Sequence, residues 1–240
     1  MNAFIIVMAI IFGIFVYPKQ ELSEETKRRS RSFVSNAFFR EFWYFLMGPL
    51  KRQFIKYDVS PDTLTWFGFI FSAFSGISFG LGHFGLGGWF VILAATCDIY
   101  DGQLARAKGI NNKSGAFLDS VLDRLGESFM FCGLAWYFRE DVLWFLVLFI
   151  TFTGSQLISY TRARAEGLGF GGARGFFQRA ERMIVLSFGT CLSPVFEYFY
   201  ATGMQTIYVT LACMCLGSVQ TSITRSVSIY LEIKSTEKHL

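Results

Sequence analysis

The chain is 240 residues long; 52% of it is hydrophobic, 18% is aromatic with 29 Phe, and only 17% is charged. With a mean hydropathy of +0.41, such a chain buries apolar surface in lipid as well as in a protein core, which excludes a disordered or purely soluble design. The net charge of +4 suits an anionic membrane leaflet and calls for no nucleic-acid partner.

Residues 3–17 form the first apolar run, marginal in length for crossing a bilayer. The run lacks the basic start and small-residue cleavage site of a signal peptide, and Lys27, Arg28, Arg29 and Arg31 follow it. It is therefore expected to be an uncleaved N-terminal membrane anchor with its N-terminus outside. Residues 33–54 are dense in Phe, Trp and Leu but interrupted by Arg40, Glu41, Lys51 and Arg52, a mixture that suits an amphipathic helix lying in the interface. In the segment Ser60-Pro61-Asp62-Thr63-Leu64-Thr65, Pro61 is placed to open a helix. Apolar stretches long enough to span follow at approximately 64–82, 86–107, 115–138, 142–164, 180–200 and 204–233. The expected fold is thus all-α and integral to the membrane: a six-transmembrane-helix bundle with an amphipathic interfacial helix and an extra N-terminal anchor. Its expected organisation is an anchor and basic linker over 1–30 and one domain, interfacial helix plus bundle, over 31–240.

The basic residues set the orientation. Lys51, Arg52 and Lys56 precede the first core span, Arg106, Lys108 and Lys113 lie between the second and third, and Arg162, Arg164, Arg174, Arg179 and Arg182 lie around the fourth and fifth. The alternate connections hold only His83, Arg139, Glu140 and Asp141. By the positive-inside rule the Arg-rich side faces the cytoplasm, and a plasma (inner) membrane location is expected. The five cysteines, Cys97, Cys132, Cys191, Cys213 and Cys215, fall within apolar spans without metal-ligand spacing to a His. They read as small apolar filler, and neither a zinc site nor a disulfide framework is expected.

The most informative run is Asp98-x2-Asp101-Gly102-x2-Ala105-Arg106, followed after eight residues by Gly115-x3-Asp119-x3-Asp123. Helical positions three or four apart share a face, so Asp98 and Asp101 point one way from one helix, and Asp119 and Asp123 do so from the next. A hairpin between these helices would bring four carboxylates together. Two like charges at about 4 Å repel by roughly 4 kcal/mol at an effective dielectric near 20, so the cluster calls for cations. All-oxygen ligands suit Mg, Mn or Ca rather than Zn. Gly102 and Ala105 are small enough to let a ligand approach the backbone, and Arg106 offers a planar fork of donors matched to phosphate. A cation cluster beside a phosphate-binding Arg reads as phosphoryl chemistry, and intramembrane acids are functional by default. An ion channel or transporter could also place acids in a bundle, but it would not require this Gly and Ala spacing. A non-catalytic scaffold would not need all four acids and Arg106 intact.

These eight residues at these spacings resemble the signature of the CDP-alcohol phosphotransferase (phosphatidyltransferase) family, and every signature position is filled. The Ser-Pro-Asp-Thr-Leu-Thr segment resembles a Pro-Asn-x-Leu-Thr element of the family, with Asp62 where Asn is usual. The resemblance implies transfer of a phosphatidyl group from a CDP-activated lipid such as CDP-diacylglycerol to an alcohol, with release of CMP. It implies two Mg or Mn ions held by Asp98, Asp101, Asp119 and Asp123, with Asp123 also the catalytic base. It further implies nucleotide binding by Gly102, Ala105, Arg106 and Gly115, an interfacial helix before the first core span, and a homodimer.

A second run, Ser159-Tyr160-Thr161-Arg162-Ala163-Arg164-Ala165-Glu166-Gly167-Leu168-Gly169, closes the fourth span, and Arg179-Ala180-Glu181-Arg182 opens the fifth. Arg225 lies well inside the sixth among Thr221, Ser222, Thr224, Ser226 and Ser228, a face suited to a polar cavity. Several arginines converging near a metal cluster would form a second anion site, as a phosphorylated acceptor requires. These runs resemble the branch of the family that uses inositol phosphate, the bacterial phosphatidylinositol-phosphate synthases and their archaeal ether-lipid counterparts. By that resemblance Ser159, Arg162, Arg182 and Arg225 line the acceptor-phosphate pocket, and inositol 1-phosphate is the expected acceptor in phospholipid biosynthesis. Glycerol 3-phosphate or another polar alcohol is the alternative.

Overall fold

The structure, a computed structural model, describes residues 53–54, 56–109, 113–171 and 175–237. The expected anchor over 3–17, the basic linker that follows and nearly all of the interfacial segment over 33–54 lie outside the described residues. Among the described residues the architecture is wholly helical: α1 (Pro61–Gly80), α2 (Phe84–Ala107), α3 (Lys113–Tyr137), α4 (Val142–Gly167), α5 (Arg179–Tyr200) and α6 (Gly203–Glu237). These match the six apolar stretches one for one. Four of them, α1, α4, α5 and α6, are long and apolar enough to cross a membrane. The other two, at 24 and 25 residues, have the length, but their acids interrupt the apolar run. At a rise of about 1.5 Å per residue, the 35 residues of α6 outrun the roughly 30 Å of hydrocarbon.

The helices turn an apolar face outward and a small or polar face inward. On α1 the exposed residues include Trp66, Phe67, Ile70, Phe74 and Ile77, while Thr65, Ser72, Ser75, Gly76 and Ser78 are buried. A soluble helix would be the reverse; in lipid the outward apolar face needs no cover, and association rests on close packing of small residues. The α1–α3 contact is the tightest example. A Cβ at Gly76 would overlap the Phe129 carbonyl, and one at Gly133 would overlap the Gly76 backbone.

Helix α1 packs on α2 and α3, α6 packs on α4 and α5, and the two sets are joined mainly by the α2–α5 contact and also by a smaller one between α3 and α4. Between them lies an apolar core that includes Phe79, Val91, Met130, Leu134, Leu148, Leu186, Ile207 and Met214. Pro61 occupies the first turn of α1, as its fixed φ favours. The ends nearest the charged residues stop in left-handed glycines, Gly109 (φ +65°) after α2 and Gly169 (φ +83°) after α4, a conformation that needs no Cβ penalty from Gly. Alternating helix directions place the end of α2 and the starts of α3 and α5 at one end of the bundle. All four signature acids lie there.

That end is also fastened from outside. Lys108, just past α2, donates to Asp58 Oδ1 at 2.5 Å and to the Val59 carbonyl at 2.8 Å, holding the approach to α1. This hydrogen bond and the Lys108 charge hold the Asp58 carboxyl below its ordinary value. Phe54 packs edge-on against Tyr100 with centroids 5.8 Å apart on the same side.

Candidate active site

Asp98 and Asp101 occupy the last turns of α2, and Asp119 and Asp123 the early turns of α3, so the carboxylates face a cleft also lined by Thr65 and Ser72 of α1 and Arg179 of α5. Asp98, Asp119 and Asp123 each offer an oxygen within 4.8 Å of the others. Asp101 lines the same cleft from its buried wall, its Oδ2 accepting a 2.9 Å bond from Thr65 Oγ1. The hairpin geometry therefore gathers three acids tightly, while the fourth, in the same cleft, gives one of its oxygens to Thr65.

The cleft answers its own negative charge with Arg179. Its Nη1 lies 2.7 Å from Asp123 Oδ2 and 3.4 Å from Asp98 Oδ1, and Nη2 donates to the Asp123 carbonyl at 3.5 Å. One guanidinium does not satisfy three carboxylates: Asp119 Oδ1 is buried without a hydrogen-bond partner among the described residues. A buried carboxylate oxygen so placed is costly unless a donor or cation reaches it. Converging oxygens with one orphan fit a hard divalent ion.

The predicted nucleotide residues cluster at the same mouth. Gly102, Ala105 and Arg106 lie on the last turns of α2 and Gly115 on the first turn of α3. A Cβ on Gly102 would stand 3.3 Å from Arg106 Nη1, so glycine lets the guanidinium fold back along its own helix.

The predicted acceptor residues are less alike than their sequence suggested. Ser159 and Arg162 lie near the end of α4, where Arg162 Nε contacts Glu166 Oε1 at 2.9 Å and is 60% exposed. Arg182 is instead fully buried, held by Glu127 through Nε–Oε1 at 2.9 Å and Nη2–Oε2 at 3.3 Å. Ser155 Oγ donates to the same Glu127 Oε1 at 2.6 Å. Arg225 is buried on α6, its Nη1 donating to the Ile158 carbonyl at 2.9 Å.

Thr65, Glu127, Ser155 and Arg179 make these contacts without having been among the expected site residues. Three had a visible signal. Glu127 continues the 119–123 spacing by one more turn of α3, and Arg179 stands one turn before Arg182 on α5. Thr65 closes the segment that resembles the Pro-Asn-x-Leu-Thr element, and Ser155 carries no pattern of its own.

The geometry agrees with comparison to known proteins. The family description CDP-alcohol phosphatidyltransferase matches residues 58–218. The phosphatidylinositol phosphate synthase of Cutibacterium acnes is 36% identical over 151 residues, 61% of this chain and 73% of that protein. That of Mycobacterium tuberculosis is 30% identical over 203 residues, 80% of this chain and 88% of that protein. Two crystal structures of the M. tuberculosis synthase are similar at 29% identity over 76% of this chain. One, with CDP-DAG bound, has a TM-score of 0.67 over 92% of its own length; the other, in complex with manganese and citrate, has 0.68 over 88%. Fold and site together define a multi-pass membrane enzyme that handles CDP-activated alcohols. The chain belongs to the CDP-alcohol phosphatidyltransferase family.

Proposed function

We propose that this enzyme transfers the phosphatidyl group of CDP-diacylglycerol to inositol 1-phosphate, releasing CMP. The observation that carries the reading is the trio Asp98, Asp119 and Asp123, with ligand oxygens within 4.8 Å of one another and Asp119 Oδ1 unsatisfied. The names of the relatives, phosphatidylinositol phosphate synthases, support the choice of acceptor. So do the cations of Arg162, Arg182 and Arg225.

Asp98, Asp101, Asp119 and Asp123 would hold two Mg or Mn ions, and the manganese in the neighbouring structure supports this assignment. When bound, such ions neutralise the pyrophosphate and the departing CMP. Arg106, with Gly102, Ala105 and Gly115 leaving room beside it, holds the nucleotide. Asp123 takes the proton from the acceptor hydroxyl as its oxygen attacks the β-phosphorus, and the bond from that phosphorus to CMP breaks. Arg179 balances Asp98 and Asp123 before substrate arrives. Ser159, Arg162, Arg182 and Arg225 receive the acceptor phosphate. All six helices cross the membrane as the core of a domain over 31–240, preceded by an interfacial helix and, over 1–30, an anchor and linker. The site opens to the cytoplasmic face of the plasma membrane, in a homodimer.

The test is CMP release by the purified protein with CDP-diacylglycerol and Mg or Mn, with inositol 1-phosphate, glycerol 3-phosphate, serine and free inositol compared as acceptors. Release that depends on inositol 1-phosphate is expected. Release with another acceptor would keep the carboxylate chemistry and overturn the acceptor assignment, and no release with any would overturn the proposal.

A further inference from the structure

Two buried guanidinium groups in the second half of the bundle have donors without a hydrogen-bond partner among the described residues. Arg182 is 0% exposed and Arg225 is 5% exposed, yet Arg182 Nη1 and Arg225 Nε are buried without a hydrogen-bond partner among the described residues. A charged donor left so is among the costliest polar defects in a folded protein, and an acceptor such as a phosphate oxygen would satisfy it. Arg162 and Arg182 bring positive charge to Arg225 and Glu166 brings negative charge, while among the described residues the Arg225 guanidinium donates to a neutral carbonyl.

Glu127 decides which donor is missing its partner. It takes Arg182 from the side, through Nε and Nη2, in the two-point arrangement that fixes a guanidinium plane. Ser155 of α4 donates to Oε1 of the same carboxylate, so the orientation of Glu127 is itself set from a third helix. With Nε and Nη2 engaged, the rigid fork has one end left, and that end is Nη1. A glutamate placed merely to neutralise Arg182 need not leave the remaining donor buried and unmet.

We infer that Glu127 is a positioning residue for the acceptor: with Ser155 it locks Arg182 so that Nη1 is the donor presented to the acceptor's phosphate, alongside Arg225. The inference rests on the acceptor reading above. It assigns a role to a buried acid that lies outside the signature and touches neither the nucleotide residues nor the carboxylate trio. Glutamine in place of Glu127 keeps the shape but loses the charge that holds the fork. Selection between substrates should suffer on one side only.

The experiment is steady-state kinetics of CMP release by the full chain in detergent for Glu127→Gln and Ser155→Ala, with inositol 1-phosphate and CDP-diacylglycerol varied separately. Glu127→Gln is expected to raise KM for inositol 1-phosphate by about tenfold or more, with KM for CDP-diacylglycerol within about twofold. Ser155→Ala, which keeps the ion pair, should shift the acceptor KM in the same direction by a few-fold. A parallel rise in both KM values, or an unchanged acceptor KM in folded protein, would overturn the inference, because a strut between helices has no preference between substrates. Should Glu127→Gln fail to fold, an unchanged acceptor KM in Ser155→Ala overturns it instead. The wild-type acceptor profile separates the two failures. Release with only a non-phosphorylated acceptor sinks the acceptor reading and this inference with it, whereas saturation by inositol 1-phosphate with unselective variants sinks only the role of Glu127.

Discussion

Helices α3 and α5 face each other through two ion pairs one turn apart, Asp123 with Arg179 and Glu127 with Arg182, and the two are built to opposite ends. In the outer pair the side chains are 24% and 26% exposed; in the inner they are 2% and 0%. The outer pair is single-point and shared with Asp98, while the inner is two-point and braced by Ser155. A partly solvated pair is screened and contributes modestly, so its partners can be exchanged. Removing one member of a buried pair strands a charge, at about 3–5 kcal/mol. One turn of helix thus separates an arginine that can give way from one that is held.

Asp123→Asn tests the outer pair most severely. It keeps the shape, removes the base and one ligand charge, and should lower the rate of CMP release by about 10²–10⁴-fold, as loss of a general base does. A near-wild-type rate would show that Asp123 takes no proton. Arg225→Ala probes the inner region next: the KM for inositol 1-phosphate should rise by about 10–100-fold while that for the CDP-lipid stays put, the loss of one charged donor. Equal changes in the two constants would make Arg225 a structural residue.

Arg179→Gln sharpens the contrast without turnover. If Arg179 balances carboxylates that metal would otherwise occupy, its loss should tighten Mn binding by about tenfold, read as free Mn by electron paramagnetic resonance in a titration of substrate-free protein. Weaker or unchanged binding would mean that Arg179 does not compete. The smallest effect is expected at the outermost pair. Asp58 has its carboxyl held below the ordinary value by Lys108, so the pair supports the fold at neutral pH and loses that support as the pH falls through the depressed value. Because the Asp58 side chain is 90% exposed, Asp58→Asn should scarcely move thermal unfolding at neutral pH and should flatten its decline only in acid. A marked loss of stability at neutral pH would show the clamp to be more than a surface contact.

The carboxylate cleft was legible because its logic is local. Asp98 and Asp101, or Asp119 and Asp123, share a face by helical spacing alone, and a short connection folds one helix against the next. The arginine region was not, because Glu127, Ser155, Arg182 and Arg225 come from four different helices, and no spacing says which of them meet. Arg182 illustrates the difference. In the sequence it is one of several arginines expected around the acceptor phosphate, and folding places it in the protein interior on Glu127.

By itself, then, the sequence determined the six helices of the described residues and the acid signature, because period, length and composition act over a few turns of one segment. Tertiary structure alone decided that Thr65 would bond Asp101, that Arg179 would span Asp98 and Asp123, and that Glu127 would hold Arg182. Each of these depends on how far one helix slides and turns against another. Contacts such as that of Gly76 with Gly133 set this register at close range, and the pattern along one helix does not encode it.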